Sequence, residues 1–167
     1  MLNPVAREHD TVREVIDALA QRQLTLAVAE GDTGGVLLGL LTAVAGSSVV
    51  VRGGVVAYHD DLKRTILGVT PDLLQRCGAV SAEVAEAMAQ GVRRVAAADV
   101  GLATTGIAGP GGGTATKAVG LAYVSAVNAA RAVTHEHRWH GDRTSNRCSS
   151  AHAAVRAALE LLEQEKE

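Results

Sequence analysis

Apolar positions along the chain follow two spacings, which together predict helices and strands in alternation. Val12, Val15, Ile16 and Leu19 have the three-to-four-residue spacing of an amphipathic helix, predicted over residues 5–23. Unbroken apolar runs are typical of buried strands, predicted at 24–29, 49–58 and 99–105, with a hairpin of strands 119–126 and 132–139. Further helices are predicted at 36–44, 60–67, 71–76, from a Ser81 cap to 97, and 142–165. Their alternation predicts a three-layer α/β unit.

The length of 167 residues fits one domain, 1–167, that needs no disulfide or metal to fold. Hydrophobic residues make up 47 % of the chain, yet it has no Phe, which predicts a core of Ala, Val and Leu between closely packed layers. The Gly53-Gly54 pair inside a predicted strand indicates a bulge or a close backbone approach.

Charge and cysteine content exclude several classes of function. A formal charge of -2 leaves no broad basic face, which argues against sequence-independent nucleic-acid binding. Cys77 and Cys148 form no C-x-x-C motif, and no signal segment or 18-residue apolar run occurs. We therefore expect a cytoplasmic protein that does not enter a membrane.

Two glycine-rich turns follow two predicted strands and mark the candidate site. Residues 104–114 read Thr-Thr-Gly-Ile-Ala-Gly-Pro-Gly-Gly-Gly-Thr, and residues 29–35 read Ala-Glu-Gly-Asp-Thr-Gly-Gly. Glycines allow positive φ and let backbone N–H groups turn toward an anion or a carbonyl. Tight connection alone is the alternative, but two such turns after two strands predict one shared cleft.

The order of the motifs resembles the CinA C-terminal domain family, the nicotinamide-nucleotide amidohydrolases or NMN deamidases. The resemblance covers nearly the whole chain from Val12 onward. The motifs are Ala29-Glu30-x-x-Thr33-Gly34-Gly35, Ala45-Gly46-Ser47-Ser48, Gly53-Gly54-Val55-Val56-Ala57-Tyr58, Lys63, Leu67-Gly68-Val69, Gly78-Ala79-Val80-Ser81, Thr105-Gly106-Ile107-Ala108-Gly109-Pro110, Gly112-Gly113-Thr114, Lys117, Val119-Gly120 and Gly141-Asp142-Arg143.

The resemblance implies an α/β fold of three layers, αβα, with a mixed, mainly parallel sheet. It also implies hydrolysis of the carboxamide of nicotinamide mononucleotide to the acid plus ammonia, no cofactor or required metal, and a homodimer or higher homo-oligomer. The implied ligand is a small phosphorylated nucleotide, either nicotinamide mononucleotide or its deamidated acid.

One departure from the family pattern falls on the chemistry. The family reads Ala-Glu-Ser-Cys-Thr-Gly-Gly and its Ser is the presumed nucleophile, whereas this chain has Gly31 and Asp32 at those two places. Amide hydrolysis needs an attacking oxygen, a base and donors for the oxyanion, and a glycine cannot supply the first. The Thr33 hydroxyl, two residues on, points to a different side of the helix axis.

The remaining candidate catalytic residues are Lys63 as a base, Tyr58 as a proton relay, and Thr105 at the start of the loop whose N–H groups would face an oxyanion. The alternative interpretation is a solvated Lys and a half-buried Tyr. Asp32 has two interpretations, either activating a water or capping the following helix. We favour the cap, and with it lost or altered hydrolysis.

Arg143 and Arg147 lie one helical turn apart and could hold a phosphate near a helix N-terminus, or could be surface residues paired with Asp142. The resemblance to the family favours the phosphate. Glu30 either receives a ribose hydroxyl or satisfies backbone N–H groups, and Lys117 either adds a positive charge to the pocket or is solvated. The full set of candidate binding residues is Glu30, Thr33, Gly34, Gly106, Gly109, Gly112, Gly113, Lys117, Arg143 and Arg147.

Histidines form a third polar pattern. His135 and His137 alternate with Trp139 on one face of a predicted strand, a spacing that can present two imidazoles to a metal. No third ligand is evident, so we favour an exposed strand face without a metal, and we expect His59 to be an exposed strand-end residue. Three hypotheses stay open: an amidohydrolase with an altered nucleophile, a non-catalytic nucleotide binder, and a structural dimer that kept only the fold.

Overall fold

A five-stranded mixed sheet lies at the centre of the computed structural model, which describes the backbone of residues 4–164 and the side chains of residues 10–164. The strands are β1 (Leu26–Glu30), β2 (Val51–Val56), β3 (Val100–Gly106), β4 (Leu121–Val127) and β5 (Ala132–Arg138), in the order β2-β1-β3-β4-β5. β1 pairs in parallel with β2 and β3, whereas β4 is antiparallel to both β3 and β5. Only β4 runs against the other strands, so the expected mixed and mainly parallel sheet is confirmed.

Helices cover both faces of the sheet and complete the predicted three layers. They are α1 (Pro4–Gln21), α2 (Val36–Thr42), α3 (Asp60–Thr65), α4 (Pro71–Cys77), α5 (Ala82–Val95) and α6 (Arg143–Glu163), with a short 3-10 turn at Ser47–Val49. Buried side chains of α1, α2 and α6 pack against one face, and those of α5 pack against the other. The predicted end of the last helix at Glu165 lies outside the described residues. Within residues 4–164 no helix is long and apolar enough to cross a membrane.

Close packing of α5 on the sheet, and on the segment that follows α3, explains two of the glycines. A Cβ on Gly101 of β3 would lie 2.1 Å from the carbonyl oxygen of Ala89, and a Cβ on Gly91 would lie 2.1 Å from that of Leu67. A core of small side chains thus brings backbone against backbone, as the composition predicts. Ser81 caps α5 as expected, with its Oγ accepting the Val84 N–H at 3.3 Å.

The sheet register also confirms the prediction for Gly53 and Gly54. The pairing of β1 with β2 shifts by one residue after Leu26, and a Cβ on Gly54 would lie 2.9 Å from the Val28 carbonyl oxygen. Both a bulge and a close approach occur there. Because β1 and β3 are parallel neighbours, the glycine turns that follow them meet at the same edge of the sheet.

Candidate functional site

Both glycine turns line one cleft of about 280 Å³, at the low end of the volumes of small-molecule sites. The first turn contributes Gly31 and Asp32, and the second contributes most of residues 106–112. Tyr58, Lys63, Thr105 and Arg143 complete the set of predicted residues that the structure brings together here. The predicted shared cleft therefore exists.

Arg143 joins the glycine loop to the end of β2. Its Nη1 donates to the Gly109 carbonyl oxygen at 2.7 Å, and its Nη2 donates to the Tyr58 hydroxyl oxygen at 2.8 Å. A guanidinium has five N–H donors, so these two contacts leave about three for a ligand. The N-terminus of α6, in contrast, already holds a carboxylate, because Asp142 accepts the Ser145 N–H at 2.8 Å, a bond that lowers the pKa of Asp142. Of the predicted phosphate site at this helix end, the guanidinium is the part that remains accessible.

Lys63 is buried in the cleft wall, with 4 % of its surface exposed, so the interpretation as a solvated lysine is wrong. Its Nζ donates to Asp60 Oδ1 at 2.9 Å. An ammonium has donors and no acceptor, so Lys63 in this pair is suited to donating toward a ligand oxygen. Tyr58, in contrast, is 60 % exposed at the cleft mouth.

The backbone of β3 lies close to the position where the missing nucleophile would begin. A Cβ on Gly31 would lie 3.0 Å from the Thr104 carbonyl oxygen and 3.4 Å from Thr105 Cα. The hydroxyl of Thr105 is 3.7 Å from that Cβ position and already donates to the Ala79 carbonyl oxygen at 2.7 Å. No serine-like hydroxyl therefore extends from the Gly31 position into the cleft.

Asp32 does not cap α2, and the favoured interpretation of this residue is wrong. The helix begins only at Val36, and Gly35 is its N-cap without a side-chain hydrogen bond. Asp32 is instead 8 % exposed, and its Oδ1 is buried with no hydrogen-bond partner among the described residues. Burial raises its pKa to about 6, because a carboxylate removed from water favours its neutral form.

Glu30 performs the capping that Asp32 does not. It is fully buried, and its Oε2 accepts the Thr33 hydroxyl at 2.6 Å and the N–H groups of Gly35 and Leu37 at 2.9 and 3.0 Å. Its Oε1 accepts the Leu38 N–H at 2.9 Å. Of the two alternatives for Glu30, the structure supports satisfaction of backbone N–H groups, and the prediction of Glu30 as a ligand-binding residue is wrong.

Arg147 supports the first turn from behind instead of joining Arg143 in the cleft. Its Nε and Nη2 donate to the Thr33 carbonyl oxygen at 3.2 and 2.7 Å, and it packs beside Gly34. Thr33 is itself fully buried, and its hydroxyl also lies 2.8 Å from that of Thr104. Thr33, Gly34 and Arg147 lie outside the cleft lining, so the structure does not bring them together with the other predicted residues.

The second glycine loop does present its backbone to the cleft. Gly106, Gly109, Gly111 and Gly112 line it, and within the described chain no group accepts the N–H of Gly109, Gly111 or Gly112. Gly109 and Gly112 have φ of 86° and 88°, which glycine adopts without strain. Gly113 does not line the cleft, because it packs against Val119.

Lys117 lies outside the cleft and stabilises the loop instead. Its Nζ donates to the carbonyl oxygens of Cys77 at 2.5 Å and Val80 at 2.7 Å. Cys77 ends α4, and Val80 lies in the segment that connects α4 to α5. Lys117 is therefore not a merely solvated side chain, and it does not join the other predicted residues in the cleft. Its partners lie about 40 residues away in sequence, so no local pattern indicates them.

The histidines form no metal site in the part of the chain that the structure describes. His135 Nε2 lies 2.7 Å from Glu160 Oε2, and the His137 ring stacks on Trp139 with centroids 4.6 Å apart. His59 is exposed, as expected, and caps α3 by accepting the Asp61 N–H at 3.2 Å.

Two functional positions were missed by sequence reasoning. Asp60 lines the cleft beside Lys63, and the three-residue spacing of an acid and a lysine on a helix is a signal that could have identified it. Asn146 is buried, donates to the Ala108 carbonyl oxygen at 3.1 Å and accepts the Gly141 N–H at 3.0 Å. It holds the glycine loop against α6, and no sequence pattern indicates this contact.

Comparison with known proteins finds similar sequences and similar folds. The family model of the CinA C-terminal domain matches residues 8–165. A CinA-like protein of Thermosynechococcus vestitus is 49 % identical over 138 residues, which are 81 % of this chain and 33 % of the relative. The crystal structure of the competence/damage inducible protein CihA from Agrobacterium tumefaciens is 38 % identical, with a TM-score of 0.89 over 93 % of this chain and 95 % of that one. The chain spans about a third of the length of the curated relatives it matches.

Proposed function

The chain belongs to the CinA C-terminal domain family, and we propose that its cleft binds a phosphorylated pyridine nucleotide, either nicotinamide mononucleotide or its deamidated acid. The observation that carries this proposal is the combination of an accessible guanidinium, Arg143, with the N–H groups of Gly109, Gly111 and Gly112 in one cleft wall. Backbone N–H groups and guanidinium together favour a phosphate.

We further propose that deamidation by this chain is severely impaired. Gly31 has no hydroxyl to attack a carboxamide, and the space where its Cβ would lie is limited by the Thr104 carbonyl oxygen at 3.0 Å. Lys63 and the loop N–H groups remain as donors that would hold a ligand and its oxyanion, but positioning without a nucleophile retains only a small part of an enzyme's rate enhancement.

Titration calorimetry with both nucleotides tests the binding proposal. Arg143→Ala should weaken affinity about 10-fold to 100-fold, because a charge-assisted hydrogen bond to phosphate contributes about 1.5 to 3 kcal/mol. Arg76→Ala is the matched control, since Arg76 is an exposed arginine paired with Asp72 outside the cleft. If the folded protein gives no heat of binding with nicotinamide mononucleotide and none with its deamidated acid at millimolar concentration, the ligand assignment is wrong.

Ammonia release tests the chemistry. The chain should release far less ammonia from nicotinamide mononucleotide than a relative that carries the Ser, measured side by side. Comparable release by both proteins would contradict the proposed impairment. The homodimer that the resemblance implies stays a prediction, which sedimentation of the purified protein would test.

A further inference from the structure

Asp32 lines the cleft and has a buried side-chain oxygen to which no group of the described chain donates a hydrogen bond. Its Oδ1 is buried and without a partner among the described residues, and its Oδ2 lies so near Gly106 that a Cβ there would be 2.9 Å away. Glu30, two residues earlier, shows that this turn can satisfy a carboxylate completely. A buried carboxylate with an unpartnered oxygen costs stability, and such groups cluster at functional sites.

The chemistry of an ionised carboxylate restricts what can lie beside it. It only accepts hydrogen bonds, so it favours a ligand group with N–H donors and disfavours a second carboxylate. The two candidate nucleotides differ at one group in this respect. A carboxamide offers two N–H donors, whereas the deamidated acid offers a negative charge and no proton at neutral pH.

Resting on the proposed nucleotide site, we propose that Asp32 is a specificity-determining residue, which at neutral pH selects the carboxamide nucleotide over its acid. Gly31 contributes by leaving no side chain between the turn and the ligand. The selection needs no catalytic step and applies to a cleft that only binds.

The groups around Asp32 predict how this preference changes with pH. Burial raises the pKa of Asp32 to about 6, the neighbouring hydroxyl groups of Ser150 on α6 and Thr104 on β3 oppose the rise, and the Glu30 charge adds to it. The other charged groups of the cleft wall are the Lys63–Asp60 pair and Arg143. Histidine is absent from the described cleft lining.

A protonated Asp32 can donate a hydrogen bond to the acid, so the preference should fall at low pH. At pH 5, one unit below a pKa of about 6, about ten molecules in eleven are protonated. The nucleotide phosphate also titrates near pH 6. Because both nucleotides carry the same phosphate, the effect of phosphate titration cancels in the ratio of their dissociation constants.

The test is calorimetry of both nucleotides at pH 8 and pH 5. The natural chain should bind the carboxamide nucleotide at least about 10-fold more tightly at pH 8, since opposed like charges cost at least about 1.4 kcal/mol. This ratio should fall at least about 3-fold at pH 5. Asp32→Asn should bring the ratio close to one at both pH values, because an amide both donates and accepts. Asp61→Asn, which removes an exposed carboxylate outside the cleft, should behave like the natural chain.

Equal affinities at pH 8, or an unchanged ratio in Asp32→Asn, would overturn the role of Asp32 while leaving nucleotide binding in place. Failure of both nucleotides to bind the folded protein would overturn the nucleotide site and the inference together. Asp32→Ser provides the same comparison if the asparagine variant does not fold, because a serine is also an uncharged donor and acceptor.

Discussion

The first glycine turn carries two carboxylates, Glu30 and Asp32, which lie two residues apart in the sequence but differ in their surroundings. On the helix side, Glu30 accepts four hydrogen bonds and holds the start of α2, with Arg147 supporting the turn through Thr33. On the cleft side, Asp32 is buried and its Oδ1 has no partner in the described chain. The same chemical group thus stabilises the fold at one position and costs stability at the other. This difference separates a residue that builds the turn from one that lines the cleft.

Removing Glu30 should have the largest effect on stability, because Glu30 accepts the N–H groups at the start of α2. Glu30→Ala leaves three backbone N–H groups at the start of α2 without an acceptor, and we expect a loss of about 4 kcal/mol or more in the free energy of unfolding. Urea denaturation measures it, with exposed Glu14→Ala as control. Glu30→Gln keeps an acceptor and should lose about half as much. A loss below about 1 kcal/mol in Glu30→Ala would contradict the capping role.

Substitutions on the cleft side of the turn, at Gly31 and Asp32, should instead alter the rate of amide hydrolysis. Gly31→Ser together with Asp32→Cys supplies a hydroxyl and removes the negative charge, so ammonia release from nicotinamide mononucleotide should rise about 100-fold or more. The new Cβ would be 3.0 Å from the Thr104 carbonyl oxygen, which should cost about 1 kcal/mol of stability.

Gly31→Ser alone should recover less activity, because Asp32 would still oppose an oxyanion. Gly39→Ser, which adds a hydroxyl in open space on α2, serves as the control and should recover none. High activity of the natural chain that disappears in Asp32→Asn would show instead that Asp32 activates water.

Neutralising Asp32 should raise the free energy of unfolding, which is the opposite of the effect expected for removal of Glu30. Its pKa is about 6 in the folded protein and ordinarily 3.8, so the folded state holds the proton more tightly. The free energy of unfolding therefore falls as pH rises from about 4 to 6, by up to about 3 kcal/mol. Asp32→Asn should be about 2 kcal/mol more stable than the natural chain at pH 7.5 and gain little at pH 4. Parallel stability profiles of the two proteins would contradict the burial argument.

The smallest effect separates two arginines on the same helix. Arg147→Ala removes the guanidinium bonds to the Thr33 carbonyl oxygen and should lower the free energy of unfolding by about 1 kcal/mol, with nucleotide affinity changed less than in Arg143→Ala. Thermal unfolding and calorimetry on both variants measure the difference. A larger affinity loss in Arg147→Ala than in Arg143→Ala would reverse the assignment.

The sequence was sufficient for the elements and for the location of the cleft. Apolar spacing predicts the helices and strands because it reflects contacts between near neighbours on one face of an element. The glycine turns follow strands β1 and β3, and the tendency of ligands to gather at strand carboxyl ends placed both turns in one site. The absence of a hydroxyl at Gly31 is likewise readable without a structure.

Tertiary structure alone decided which polar side chains line the cleft. Asp32 precedes a helix and reads as its cap, yet Glu30 takes that role because the chain folds back over its carboxylate. Lys117 reads as a free loop charge, but carbonyl groups about 40 residues away hold it. Periodicity depends on neighbours along the chain, whereas the partner of a long polar side chain depends on which distant segment packs beside it.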